Sequence, residues 1–143
     1  MTSYYINEAV FELPERPFED KTIHGLEAKL PNGKTLGVLV HRRPIEGGKR
    51  LRQLVDDNIL LNKTRLTAFT VLDEAETTIG GVPGIVLRTR WKQSGTTYYQ
   101  LQAHVAVEAE ASAGTYMIFA TSGPLEDQAA CDETFDSILK TIT

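Results

Sequence analysis

The stretch Ile85–Val107 constrains the fold most. Two arms flank Ser94-Gly95, and side-chain character alternates with period two along both, the pattern of paired strands in a half-buried sheet. One face of the second arm reads Tyr99, Leu101, Ala103, Val105, Val107; the other reads Tyr98, Gln100, Gln102, His104. A two-residue turn at Ser94-Gly95 pairs Thr89 with Gln100. A turn one residue longer or shorter pairs Arg90 with Gln100, which puts Leu87 and Trp91 with Leu101 and Ala103, and Arg88 and Arg90 beside the glutamines. Apolar matching favours this second register, because a one-residue slip exchanges whole faces.

The rest of the chain repeats the hairpin theme. Ala9–Leu13 alternates and stops at Pro14, as a short strand does, and Pro14–Asp20 reads as a loop. Lys21–Leu30 and Thr35–Arg42 flank Pro31-Asn32-Gly33-Lys34, a strong turn signal because Asn-Gly tolerates positive φ. Pro44–Gly48 breaks the pattern, and Lys49–Asn62 places Leu51, Leu54, Val55, Ile59 and Leu61 on one helical face. Leu60 falls on the opposite face, beside Gln53 and Asp56-Asp57. Thr67–Leu72 reads as a strand that Asp73–Thr78 continues or turns away from, and Gly80-Gly81-Val82-Pro83 as a turn. After the long hairpin come a polar loop, Glu108–Gly114, a strand, Thr115–Thr121, and a helix opened by Gly123-Pro124. Its stripe is Cys131, Phe135, Ile138, Leu139 and Ile142.

This order predicts one domain over residues 1–143 with an α+β fold. The expected sheet is mostly antiparallel, with two helices packed on one face and an open concave face on the other. The chain is ordinary for a soluble globular domain, at 41% hydrophobic and 24% charged residues. A net charge of -4 argues against nucleic acid as a partner. The opening Met1–Glu8 lacks the basic patch and apolar core of a signal peptide, and no apolar run approaches the roughly 20 residues that span a bilayer. A single cysteine excludes an internal disulfide and a cysteine metal cage. A cytoplasmic protein that is not membrane-inserted is expected.

Catalytic chemistry finds little support. His24, His41 and His104 are scattered over different strands without metal-ligand spacing. Cys131 sits on an apolar helical stripe, where cysteine acts as a small hydrophobe. Gly47-Gly48-Lys49 lacks the phosphate-loop pattern. Asp56 and Asp57 point about 100° apart on a helix, and Glu74 and Glu76 carry no mark of an acid–base pair. No enzyme, cofactor or metal is expected. Gln100 and Gln102 stand apart: two uncharged side chains on one sheet face, each with two donors and an acceptor, suit a surface that hydrogen-bonds an apolar segment without burying charge. A solvent-facing strand explains them equally well.

Several segments together resemble the Eag chaperones of bacterial type VI secretion, within the DcrB-like group of PsbP-like fold. They are Tyr5-Ile6-Asn7-Glu8-x-x-Phe11-x-Leu13-Pro14, Gly84-x-x-Leu87-x-x-x-Trp91-x-x-x-Gly95 with Gln100-x-Gln102, and Phe135-x-x-Ile138-Leu139-x-x-Ile142. The resemblance implies a homodimeric cytoplasmic chaperone. Such a chaperone binds the N-terminal transmembrane helices of an effector, next to a PAAR domain, and helps load it on the VgrG spike. It also implies client contacts at Ile23, Gln100 and Gln102, with Val38 and Val40 from the adjacent strand. Leu60 is added for its position off the helical stripe. Gly25 departs from the larger apolar residue expected there. The alternatives are a PsbP-like binding module for another protein or a small apolar ligand, and a small histidine-dependent enzyme.

Overall fold

The computed structural model describes residues 2–6, 9–16, 21–45, 47–109 and 112–142. The two N-terminal strands, β1 (Thr2–Ile6) and β2 (Ala9–Leu13), form a two-stranded ribbon of their own. β3 (Ile23–Lys29), β4 (Thr35–Pro44), β5 (Thr67–Ile79), β6 (Val82–Gln93), β7 (Thr96–Ala109) and β8 (Ser112–Pro124) form one antiparallel sheet in the order β3-β4-β8-β7-β6-β5. Helix α1 (Leu51–Arg65) joins β4 to β5, and a 3₁₀ turn leads from β8 into helix α2 (Gln128–Thr141). Asn7-Glu8 of the family-like opening, and parts of the predicted 14–20 and 108–114 loops, lie outside the described residues.

The turns are chemically determined. Gly80-Gly81 and Ser94-Gly95 are two-residue connections with positive φ at every position, 56° and 81° in the first and 50° and 78° in the second. This mirror-image turn matches the right-handed twist of the strands it joins. In the β3–β4 turn, the Lys34 N–H donates to Asn32 Oδ1 (2.9 Å) ahead of a strand pair that runs to Ile23↔His41.

The tight turn decides the register of the long hairpin. Thr89 pairs with Gln100, Leu87 with Gln102 and Ile85 with His104. The expected pairing of Arg90 with Gln100 is thus corrected. Arg88 and Arg90 face the same side as Leu101 and Tyr99, and Leu87 and Thr89 face the side of the glutamines. Apolar matching misleads here because both faces of the sheet are covered, so the glutamine row needs aliphatic neighbours too.

The α+β class and the antiparallel sheet are as predicted, the sheet having six strands, but the two helices lie on opposite faces. Cys131 and Phe135 of α2 pack with Tyr99, Leu101, Ala103 and Val105. Leu54 of α1 packs with Tyr116 and Ile118, and Val55 with Ile85 and Leu87, all on the other face. The fully open concave face is therefore corrected as well. Burial of polar side chains is expensive only when they are unpaired, and Tyr116, His104, Gln102 and Gln100 of this face satisfy one another, whereas Trp91 Nε1 on the same face is buried without a partner.

Candidate functional site

The row across the α1 face reads Ile23 (β3), His41 (β4), Ile118 (β8), His104 (β7), Ile85 (β6) and Glu76 (β5). The adjacent row carries Gln102 between Ala120 and Leu87, and the next carries Gln100 between Ser122 and Thr89. A hydrogen-bond chain links these rows. Tyr116 Oη lies 2.5 Å from His104 Nδ1, His104 Nε2 lies 2.8 Å from Gln102 Oε1, and Gln102 Nε2 donates to Gln100 Oε1 (2.7 Å).

The chain has one direction. Gln102 Oε1 can only accept, so His104 Nε2 carries the hydrogen; Nδ1 then accepts from the Tyr116 hydroxyl. His104 is fully buried, and desolvation, with the positive charges of Arg43 and Arg52, pushes its pKa down to about 3. It is neutral under physiological conditions. Burial likewise pushes the Tyr116 phenol well above its usual range. The assembly is a neutral, satisfied polar spine under α1.

α1 lies over β5–β7 and is clamped there by a forked pair, Arg52 Nη1 to Glu74 Oε2 (2.9 Å) and Nη2 to Glu74 Oε1 (2.7 Å). This fork holds the Glu74 carboxyl below its ordinary pKa. The helix stops short of the β3–β4 end of the sheet. Between them runs a trough of about 570 Å³. Its apolar lining is Ile23, Pro44, Leu54, Leu61 and Ile118; its polar lining includes His41, Asn58, Asp57, Lys21, Arg43, Lys49 and Arg65.

The six residues expected to touch a client do not share one surface. Ile23 lines the trough and is 60% exposed. Gln100 is half-buried and Gln102 only 4% exposed, both within the spine under α1. Val38 packs toward α2 on the opposite face, and Val40, half-buried, points the same way. Leu60 stands on the outer side of α1, 66% exposed, whereas Leu61 lines the trough. Leu54, Leu61 and Ile118 were missed because their spacing also fits a plain core stripe.

The histidines and the cysteine can be placed too. His24 faces the α2 side, whereas His41 and His104 face α1 and flank Ile118, two strand spacings or about 10 Å apart. Cys131 is buried, and its thiol is pushed up to about 11 by burial and by the carboxylates of Asp127 and Asp132, the opposite of a reactive cysteine. Among the described residues no three His, Cys, Asp or Glu gather as a metal site. Among the described residues no helix is long and apolar enough to cross a membrane.

A twisted antiparallel sheet held between two helices, with a trough beside α1, defines an α+β domain. The sequence matches the DcrB family over residues 8–141, and the chain belongs to that family. Among solved structures it is similar to PA94, a Pseudomonas aeruginosa protein of unknown function. The TM-score is 0.80 at 17% identity, covering 100% of this chain and 96% of that one. It is also similar to LpqN of Mycobacterium tuberculosis, a protein involved in cell envelope biogenesis. There the TM-score is 0.62 at 13% identity, covering 83% of this chain and 69% of that one. Both likenesses concern the fold. Comparison with curated proteins gives no match.

Proposed function

We propose that this chain is a non-enzymatic chaperone that shields apolar, membrane-destined segments of a partner protein. In the finer form implied by its likeness to Eag chaperones, the client is the N-terminal transmembrane region of a type VI secretion effector with a PAAR domain. The chaperone then acts as a cytoplasmic homodimer and helps deliver the client to the VgrG spike. The observation that carries the reading is the aliphatic floor of the trough. Ile23 stays 60% exposed on an edge strand, facing Leu54, Leu61 and Ile118 across a cleft that α1 leaves uncovered.

The physical need is direct. A spanning helix presents about 20 apolar residues to water before delivery. Covering that surface removes apolar area at roughly 25 cal/mol per Å² before ordering costs are subtracted. Asn58 and His41, both uncharged hydrogen-bonding groups of the lining, can meet small polar side chains of a client helix without burying a charge. Burial and the nearby Arg43 charge hold the His41 pKa below its usual value, which favours the neutral imidazole. In this geometry Gln102 and Gln100 support the floor from beneath through His104 and Tyr116, and Ile23 makes the contact.

The test is co-expression with the N-terminal region of an effector encoded beside this chain. The expected result is a soluble client that co-purifies with the chain and is lost in its absence. A client equally soluble and stable without it would overturn the reading.

A further inference from the structure

The trough runs against the charge of the molecule. The chain carries a net -4, yet the described residues that line this cleft include the guanidinium groups of Arg43 and Arg65, and the carboxylate among them is Asp57. That carboxylate already meets Lys49 Nζ at 2.7 Å. The cations stand on both sides of the aliphatic floor: Arg43 rises from β4, and Arg65 belongs to the last turn of α1. Among the described residues no carboxylate pairs with Arg43 or Arg65.

Arg43 is also held in place. Its guanidinium carbon sits 5.1 Å from the centre of the Tyr116 ring, a cation–π distance. That ring is fixed by its hydroxyl bond to buried His104, and His104 by Gln102. The spine beneath Arg43 is neutral, so it orients the guanidinium without neutralising it. A planar, always-charged fork on a rigid platform is suited to receiving a carboxylate through two parallel hydrogen bonds.

From this arrangement we propose that the trough selects client segments in which an aliphatic stretch is flanked by an acidic side chain, with Arg43 receiving the carboxylate and Arg65 reinforcing it from the opposite wall. The proposal rests on the chaperone reading above and adds the chemical signature of the client. It also assigns the buried Tyr116–His104–Gln102 spine a role, as the support that positions Arg43.

The probe is a short amphipathic helical peptide with a Leu/Ala face and an amidated C terminus, made in three forms that end in Glu, Gln or Lys. Binding is followed by anisotropy of an uncharged dye at low salt. The expected order is Glu tighter than Gln tighter than Lys, with Glu over Gln by about tenfold, the scale of one hydrogen bond to a charged group. Added salt should shrink the preference. Arg43→Gln should abolish most of it, and Arg65→Gln, at an exposed helix end, should reduce it without disturbing the fold. Tyr116→Phe keeps the ring but removes its hydroxyl; it should weaken the Glu preference while leaving Gln-peptide affinity unchanged. Equal affinity for the Glu and Gln forms overturns this inference and leaves the chaperone reading standing. Binding of no peptide form counts against both. A Glu preference undiminished in both arginine variants removes Arg43 and Arg65 from the site.

Discussion

The two faces of the sheet are built by different rules. Under α2 the contact is dry and aliphatic: Leu101, Ala103 and Val105 meet Cys131 and Phe135, and the polar exception, Tyr99, sends its hydroxyl out to Asp132 (2.6 Å). Under α1 the same strands present Gln100, Gln102, His104 and Tyr116, joined in series, with aliphatic residues on either side. α2 packs on β7 and β8 in the middle of its face, whereas α1 leaves the trough open at the β3–β4 end of its own. A hydrophobic face needs only volume to be filled, but a polar spine needs fixed partners. The spine therefore makes a rigid floor beside which an open cleft can keep its shape.

Substitutions on the two faces should fail differently. The largest expected effect is on the dry side: Phe135→Ala, 3% exposed in the wild type, should lose about 3–5 kcal/mol in denaturant unfolding. A loss below about 1 kcal/mol would mean that this face is not the main core. Gly84→Ala comes next. A methyl there would lie 2.6 Å from Ile79 Cδ1 and 3.1 Å from the His104 carbonyl oxygen. Such overpacking should cost about 1–3 kcal/mol, read as a shift in the unfolding midpoint.

The spine should show itself through pH. The His104 pKa is near 3 in the folded chain against 6.5 when unfolded, so the unfolded state binds the extra proton between those values. The stability gained from keeping His104 neutral is complete above about pH 6.5 and declines as pH falls toward 3, by up to about 1.4 kcal/mol per pH unit. His104→Gln should unfold at lower denaturant at pH 7 yet lose less on acidification, judged by unfolding curves at pH 7, 5 and 4. A parallel loss in both proteins would contradict a neutral buried His104. The smallest stability effect belongs to the trough. Ile23→Asp, at an exposed edge position, should change unfolding by less than about 0.5 kcal/mol while sharply reducing client recovery. A variant that unfolds as readily as Phe135→Ala would place Ile23 in the core.

Much of this architecture is legible in the residues, and the misreadings share a cause. Asn32-Gly33, Gly80-Gly81 and Ser94-Gly95 announce their turns, and the stripes Leu51/Leu54/Val55/Ile59 and Cys131/Phe135 announce the helices. β1 and the full length of β5 were not announced; the latter carries two register shifts, at Thr67/Thr70 and Val71/Asp73, that break its alternation. Gln100 and Gln102 were noticed, but a polar row reads as solvent-facing unless its partners are known. His104, four places from Gln100, shares its alternating face, but Tyr116 is sixteen places away on another strand, so no local pattern completes the set. The same ignorance produced the wrong hairpin register and the placement of both helices on one side. Ile23 was singled out by resemblance, yet its trough neighbours Leu54, Leu61 and Ile118 come from elements that only the fold assembles.

Site-specific photocrosslinking measures directly whether a client's apolar segment lies in the trough. A photoreactive residue is placed at Ile23 in the trough or, as control, at exposed Glu133 on α2, and the chain is co-expressed with the effector's N-terminal region. Crosslinks from position 23 into the client's transmembrane segments, with none from position 133, are the predicted result. Crosslinks from position 133 but not from position 23 would contradict the trough as the place where the client is held.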